Sequence, residues 1–162
     1  RVFNAFDRLL RAAGARVQIG HPVIGFKNDG LRVTAITSQT AARERDWACD
    51  AVVLATGGVA SGGIVVDSHR VAREVVFGLP VVAAVAPPET VNGLSAPAAY
   101  FERPSPSLPG LAVDAALRPL DATGTAAYLN LYAAGALLTG AEPWREKSSE
   151  GISLASGWRA GQ

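Results

Sequence analysis

The residues best placed to do chemistry in this sequence are glycines that follow buried apolar runs. Residues 50–63 read Asp-Ala-Val-Val-Leu-Ala-Thr-Gly-Gly-Val-Ala-Ser-Gly-Gly. A glycine at the C-terminal end of a buried strand lets backbone approach a bound group closely, and ligands of open α/β sheets sit at that edge. Phosphate gripping needs more. The pattern Gly-x-Gly-x-x-Gly does not fit the spacing of Gly57, Gly58, Gly62 and Gly63. Gly58 and Gly63 have the separation of a phosphate loop, but Ile64 and Val65 stand where lysine and serine or threonine must reach phosphate and metal. The turn is therefore expected to wall a cofactor site without cradling its phosphates; a ligand-free turn is the plainer alternative. Asn130-Leu131-Tyr132-Ala133-Ala134-Gly135 repeats the strand-then-glycine pattern.

Other reactive side chains have ordinary readings. Arg73, Arg103 and Arg118 could meet a substrate phosphate, although solvated surface arginines are the default. His69 could act as a base and His21 opens a strand; structural or surface roles are the default for both. Cys49 is the single cysteine, which leaves no internal disulfide and no metal-ligand partner, so it reads as a small apolar residue. Trp47, Trp144 and Trp158 read as packing residues. No catalytic residue is assigned, and no metal site.

The elements that must position these groups follow from periodicity. Val2, Phe3, Phe6, Leu9, Leu10 and Ala13 recur at helical spacing, with Gly14 as the C-terminal cap. A short strand is expected at 15–19, then extended segments at 23–27, 31–38 and 43–49, the first two joined by Asn28-Asp29-Gly30 as a tight hairpin. Together they predict an antiparallel meander. Residues 51–55 are apolar throughout, as in a parallel sheet covered on both faces. Residues 59–127 hold most of the prolines and read as a separate lobe or irregular excursion, with a strand at 80–85. Ser148-Ser149-Glu150, with a serine cap and an acid in the first turn, favours a final helix over 151–160.

Composition bounds the function. A chain of 162 residues with 49% hydrophobic and 18% charged residues suits a globular fold with a buried sheet. A net charge of +1 gives no electrostatic case for nucleic acid. No apolar run is long enough to span a bilayer. The chain starts at Arg1 and contains no methionine, so it is expected to be a segment of a longer protein.

The order of helix, meander, apolar strand, Thr-Gly-Gly, then Tyr-Ala-Ala-Gly and a capped helix resembles the two-dinucleotide-fold flavoproteins. Residues 53–67 (VLATGGVASGGIVVD), 73–81 (REVVFGLPV), 116–121 (ALRPLD) and 130–161 (NLYAAGALLTGAEPWREKSSEGISLASGWRAG) resemble, in order, blocks of the B subunit of anaerobic glycerol-3-phosphate dehydrogenase. That resemblance implies the C-terminal portion of an α/β protein. The implied fold is an FAD/NAD(P)-binding (Rossmann-like) fragment with an antiparallel β-meander and a small irregular inserted lobe. The implied division is 1–58 and 128–162 in the flavin-binding domain, with 59–127 as the lobe on the substrate side.

It further implies a flavin, FMN or FAD, and a flavin-dependent dehydrogenase subunit. The reaction would take glycerol 3-phosphate to dihydroxyacetone phosphate. The partners would be a catalytic FAD subunit and an iron–sulfur subunit that passes electrons to quinone. The location would be cytoplasmic, at the inner face of the membrane only through those partners.

Carried across by motif, Ala55, Thr56, Gly57 and Gly58 match the first flavin-contacting turn, and Ala134 and Gly135 the second. Ser149, Glu150, Gly151 and Ile152 match the start of the last helix. The helix N-terminus, with roughly half a positive charge, would favour negative charge on a reduced flavin, with the Glu150 carboxylate expected to point away. Two features depart from the family: no Gly-x-Gly-x-x-Gly strand is present, and Lys147-Ser148-Ser149-Glu150 replaces a denser glycine run. Two alternatives stay open. One is a fumarate-reductase-like or ketosteroid-dehydrogenase-like flavoprotein, for whose cap residues 59–127 are short. The other is a scaffold subunit that keeps the fold without a cofactor.

Overall fold

The structure, a computed structural model, describes residues 2–69, 71–82, 109–141 and 147–162. Helix α1 spans Val2–Ala12 and carries an Asp7–Arg11 pair one turn apart at 2.9 Å. It ends as its sequence requires. Gly14 adopts φ 82°, its N–H donates to the Arg11 carbonyl and the Ala15 N–H to that of Leu10, the bond pattern of a Schellman cap. The apolar stripe stays open, with Leu9 67% exposed and Phe6 51%. The strand expected at 15–19 does not form; those residues run without ladder pairing into β1.

The meander forms as anticipated: β1 (Val23–Asp29), β2 (Arg32–Gln39) and β3 (Glu44–Ala48) make an antiparallel sheet in the order β1-β2-β3. Asp29 pairs with Arg32 across a two-residue loop whose first position, Gly30, takes φ 53°. Such loops place glycine there because a Cβ opposes positive φ. Trp47 on β3 donates its indole N–H to the buried Ser38 Oγ at 2.9 Å, and the Arg45 guanidinium lies 4.0 Å above the indole ring.

Strand β4 (Val52–Leu54) pairs in parallel with β7 (Leu131–Ala133), Val52 opposite Leu131 and Leu54 opposite Ala133. One face of this pair is core: Leu54, Leu131 and Ala133 are buried together with Val33, Ile64, Leu79, Leu111 and Leu137. Burial of each large aliphatic side chain contributes about 1.5–3 kcal/mol. The other face departs from the expected two-sided cover, since Val53 is 45% exposed.

The described parts of segment 59–127 contain short paired elements. Strands β5 (Ile64–Val66) and β6 (Ala72–Glu74) form an antiparallel hairpin. Its Glu74 is only 2% exposed, and its carboxylate accepts the N–H groups of Val76 at 2.8 Å and Phe77 at 2.6 Å. That closes a turn which delivers Phe77 to Phe26, ring centroids 4.4 Å apart, and to Tyr128. Of the strand expected at 80–85, Pro80 and Val82 make isolated bridges and 83–85 lie outside the described residues. Helix α2 (Ser149–Ala160) closes the chain, starting slightly before the expected 151.

Candidate flavin site

The parallel register of β4 and β7 brings the two glycine turns side by side. The Val52 N–H donates to the Asn130 carbonyl at 2.9 Å and the Ala134 N–H to that of Leu54 at 3.0 Å, so both strands end at one level. Beyond β4, Ala55 and Thr56 lead into Gly57 and Gly58, then a 3₁₀ turn at Val59–Ser61. Beyond β7, Ala134 is extended and Gly135, at φ 78°, opens a 3₁₀ turn at Gly135–Leu137. The turns are in contact: a methyl at Gly58 would lie 2.8 Å from the Ala136 carbonyl oxygen.

The first turn is tightly folded on itself. A Cβ at Gly63 would run into the Gly57 carbonyl and lie 2.7 Å from Thr56 Oγ1. That hydroxyl is buried and, among the described residues, has no hydrogen-bond partner. A buried hydroxyl without a partner is costly and calls for a polar group. Among the described residues, the N–H groups of Thr56, Gly57 and Gly58 also meet no acceptor. This edge of the sheet therefore offers donors to a polar ligand.

Helix α2 carries the third group of expected residues. Its opening turn holds Ser149, Glu150, Gly151 and Ile152, and the first internal bond runs from the Ile152 N–H to the Ser148 carbonyl at 3.0 Å. Ser148 occupies the capping position, as a serine cap was expected there, but its side chain makes no capping bond. Glu150 is exposed and its carboxylate accepts the Ser149 hydroxyl at 3.1 Å. The turn after β7 touches the helix further along. The Gly135 N–H donates to Ser156 Oγ at 2.8 Å, and a Cβ on Gly135 would lie 3.7 Å from Ser153 Oγ. Residues 55–58 and 134–135 are thus adjacent, and 149–152 lie about one to two helical turns before Ser156.

Sequence reasoning missed the residue that ties this site to the meander. Asn130 is buried at 4% exposure. Its Oδ1 accepts the Val33 N–H at 2.9 Å, while Nδ2 donates to the carbonyls of Val33 and Asp50, both at 2.8 Å. One side chain thereby joins β2, the approach to β4 and the start of β7. The only signal in the sequence was an amide residue directly before an apolar strand. An open groove of about 390 Å³ beside it is lined by Arg32, Thr34, Cys49 and Asp50 among others. Burial, then the Asp50 charge, pushes the Cys49 thiol pKa up, which keeps it protonated and suits a packing role.

The remaining candidates scatter. Arg118 is committed to Asp114, with Nε and Nη2 each 2.7 Å from Oδ2. That carboxylate also accepts the N–H groups of Ala116 and Arg118, supporting Leu117 at φ 64°; the Leu117 carbonyl then receives the Ala133 N–H at 2.9 Å. Arg118 thus helps to shape the flank of β7. Arg73 is exposed and 3.8 Å from Asp67, and Arg103 lies outside the described residues. His69 is exposed, and its backbone N–H donates to Asp67. His21 lines a groove of about 380 Å³ with Arg16, Gln18 and Trp47, and among the described residues its buried Nδ1 has no partner. Trp158 corrects the packing expectation, being 74% exposed; Trp144 lies outside the described residues. Among the described residues no cluster of three or more His, Cys, Asp or Glu side chains could hold a metal, and no helix is long and apolar enough to cross a membrane.

A parallel strand pair with paired glycine turns at its C-terminal edge is compatible with an FAD-binding α/β domain. The chain belongs to the FAD-binding domain family, whose model matches residues 7–152, and FAD is the cofactor of that family. It is 33% identical, over 153 residues, to the probable B subunit of anaerobic glycerol-3-phosphate dehydrogenase from each of two strains of Halobacterium salinarum. The match covers 94% of this chain and 34% of each relative, so the chain spans about a third of the length of the curated relatives it matches. The same resemblance was carried by the sequence blocks. No solved structure matches the chain.

The chemistry of the site suits that cofactor. Flavin nucleotides are rich in acceptors, and the unpartnered Thr56 hydroxyl and the free strand-end N–H groups are donors.

Proposed function

We propose that this protein works as a flavin-dependent dehydrogenase subunit of the anaerobic glycerol-3-phosphate dehydrogenase type. Bound flavin would supply two-electron acceptor chemistry. Oxidising glycerol 3-phosphate to dihydroxyacetone phosphate removes a hydride from the carbinol carbon and a proton from its oxygen, and the electrons would pass toward iron–sulfur centres and quinone on partner subunits. Within this chain, Ala55–Gly58 and Ala134–Gly135 would line the cofactor. The N–H groups that open α2, at Ser149, Glu150 and Gly151, would favour negative charge near them. Contact with the membrane would come only through partner subunits.

The observation that carries this reading is the register that sets Thr56–Gly58 beside Ala134–Gly135, with the Thr56 hydroxyl unpartnered. The names of the two Halobacterium relatives supply the substrate class. The test is the visible spectrum of the purified full-length protein before and after anaerobic glycerol 3-phosphate. A flavin spectrum that bleaches, with partner subunits present, is expected. A colourless folded protein would remove the flavin assignment; a coloured one indifferent to this substrate would remove the dehydrogenase assignment.

A further inference from the structure

A run of hydrogen bonds connects the turn after β7 to the start of α2. The Gly135 N–H donates to Ser156 Oγ at 2.8 Å, and the Ser156 hydroxyl donates to the Ile152 carbonyl at 2.5 Å. The Ile152 N–H donates in turn to the Ser148 carbonyl at 3.0 Å. Ser156 is the pivot. Its single proton goes to Ile152 and its oxygen receives Gly135, so the direction of every bond in the run is fixed.

The helix also packs against the Gly135–Leu137 turn and β7, but its hydrogen bonding to them is sparse. Its outer positions Leu154 and Trp158 are 63% and 74% exposed. Toward its far end, Arg159 reaches the Ala115 carbonyl at 3.3 Å and Ala160 is buried. Among the described residues, Ser156 makes the one side-chain hydrogen bond from α2 to the turn after β7. Ser153 Oγ is near Gly135 but makes no bond to it.

From this geometry we infer that Ser156 is a positioning residue of the flavin site: it sets where the free N–H groups at the start of α2 stand relative to the Gly135 turn. The inference rests on the flavin-site reading above and adds a residue outside the motifs that define it. Without the hydroxyl, the Gly135 N–H loses its acceptor in a half-buried turn and the helix loses its register against the strand ends.

The test compares Ser156→Ala and Ser156→Thr in the full-length protein. The readouts are flavin affinity by titration of the apoprotein with FAD, the midpoint potential of the bound flavin, and the melting temperature of the apoprotein. Ser156→Ala is expected to weaken FAD binding about tenfold. The reduced form should suffer most, and a tenfold preferential loss lowers a two-electron potential by about 30 mV. Ser156→Thr keeps the hydroxyl and is expected to restore both values. A lower melting temperature in Ser156→Ala with affinity and potential unchanged would overturn the inference and leave the flavin site standing. A wild-type protein that takes up no FAD would overturn both.

Discussion

Replacing Asn130 with alanine removes three hydrogen bonds at a buried junction, and the cost can be worked from the groups left behind. The Asp50 carbonyl belongs to an exposed residue and rehydrates. Val33 does not have that freedom: it is 1% exposed, and both its N–H and its carbonyl lose their partner. Two unsatisfied buried backbone groups cost about 1–3 kcal/mol each. The open groove beside Val33 admits water to part of this region, which favours the lower half of the sum, about 2–4 kcal/mol. Urea unfolding of the full-length protein measures it. Asn130→Asp keeps the shape but sets an ionised carboxylate against two carbonyls, so it is expected to be at least as damaging at neutral pH and to recover in acid. A loss below about 1 kcal/mol for Asn130→Ala would refute the view of this side chain as the clamp between meander and parallel pair.

Two further outcomes follow from single positions. Gly63→Ala forces a methyl against the Gly57 carbonyl and is expected to cost about 2–3 kcal/mol and to weaken FAD uptake. Gly62→Ala meets nothing within 4 Å, so it carries only the strain of φ 81°, about 1–2 kcal/mol, and leaves FAD uptake unchanged; equal effects at both positions would sink the steric argument. Acid sensitivity should come partly from two turn carboxylates. Asp121 is held down to about 2, first by the Thr123 hydroxyl and then by the Thr125 N–H and hydroxyl. Burial pushes Asp114 up, but the N–H of Arg118, its guanidinium and the N–H of Ala116 outweigh that and lower it. Depressed carboxyls stabilise the fold above their unfolded pKa and lose that contribution as pH falls through the folded value. The melting temperature should therefore be level above about pH 5 and fall between about pH 4 and pH 2, with a shallower fall in Asp121→Asn. An identical slope in that variant would count against the assignment.

Local signals were the legible ones. The meander followed from alternation and from Asn28-Asp29-Gly30, and the cap of α1 from Gly14, because each depends on residues a few positions apart. The two strand-and-glycine units were visible for the same reason, while their parallel pairing appears only in the structure. What stayed hidden was mostly long-range. The Asn130 clamp reaches Val33 across 97 positions, and no periodicity encodes such a bond. The β5–β6 hairpin was lost because three-residue strands are too short to establish alternation. Arg118 is different: Asp114 lies four positions before it, a spacing that could have marked the pair as structural. The expected strand at 15–19 failed because its alternation found no neighbouring strand among the described residues.

The parallel pairing of β4 with β7 also sets a schedule for synthesis. Asp50, two residues before the first strand, precedes Asn130, directly before the second, by 80 positions. At about 5–20 residues per second, the ribosome delivers β7 some 4–16 s after β4. Throughout that interval the apolar run at 51–55 has no ladder partner from β7, whereas the meander can zip as soon as it emerges. Chaperone protection of the nascent chain would matter most in this window, and pausing between the two strands would lengthen it.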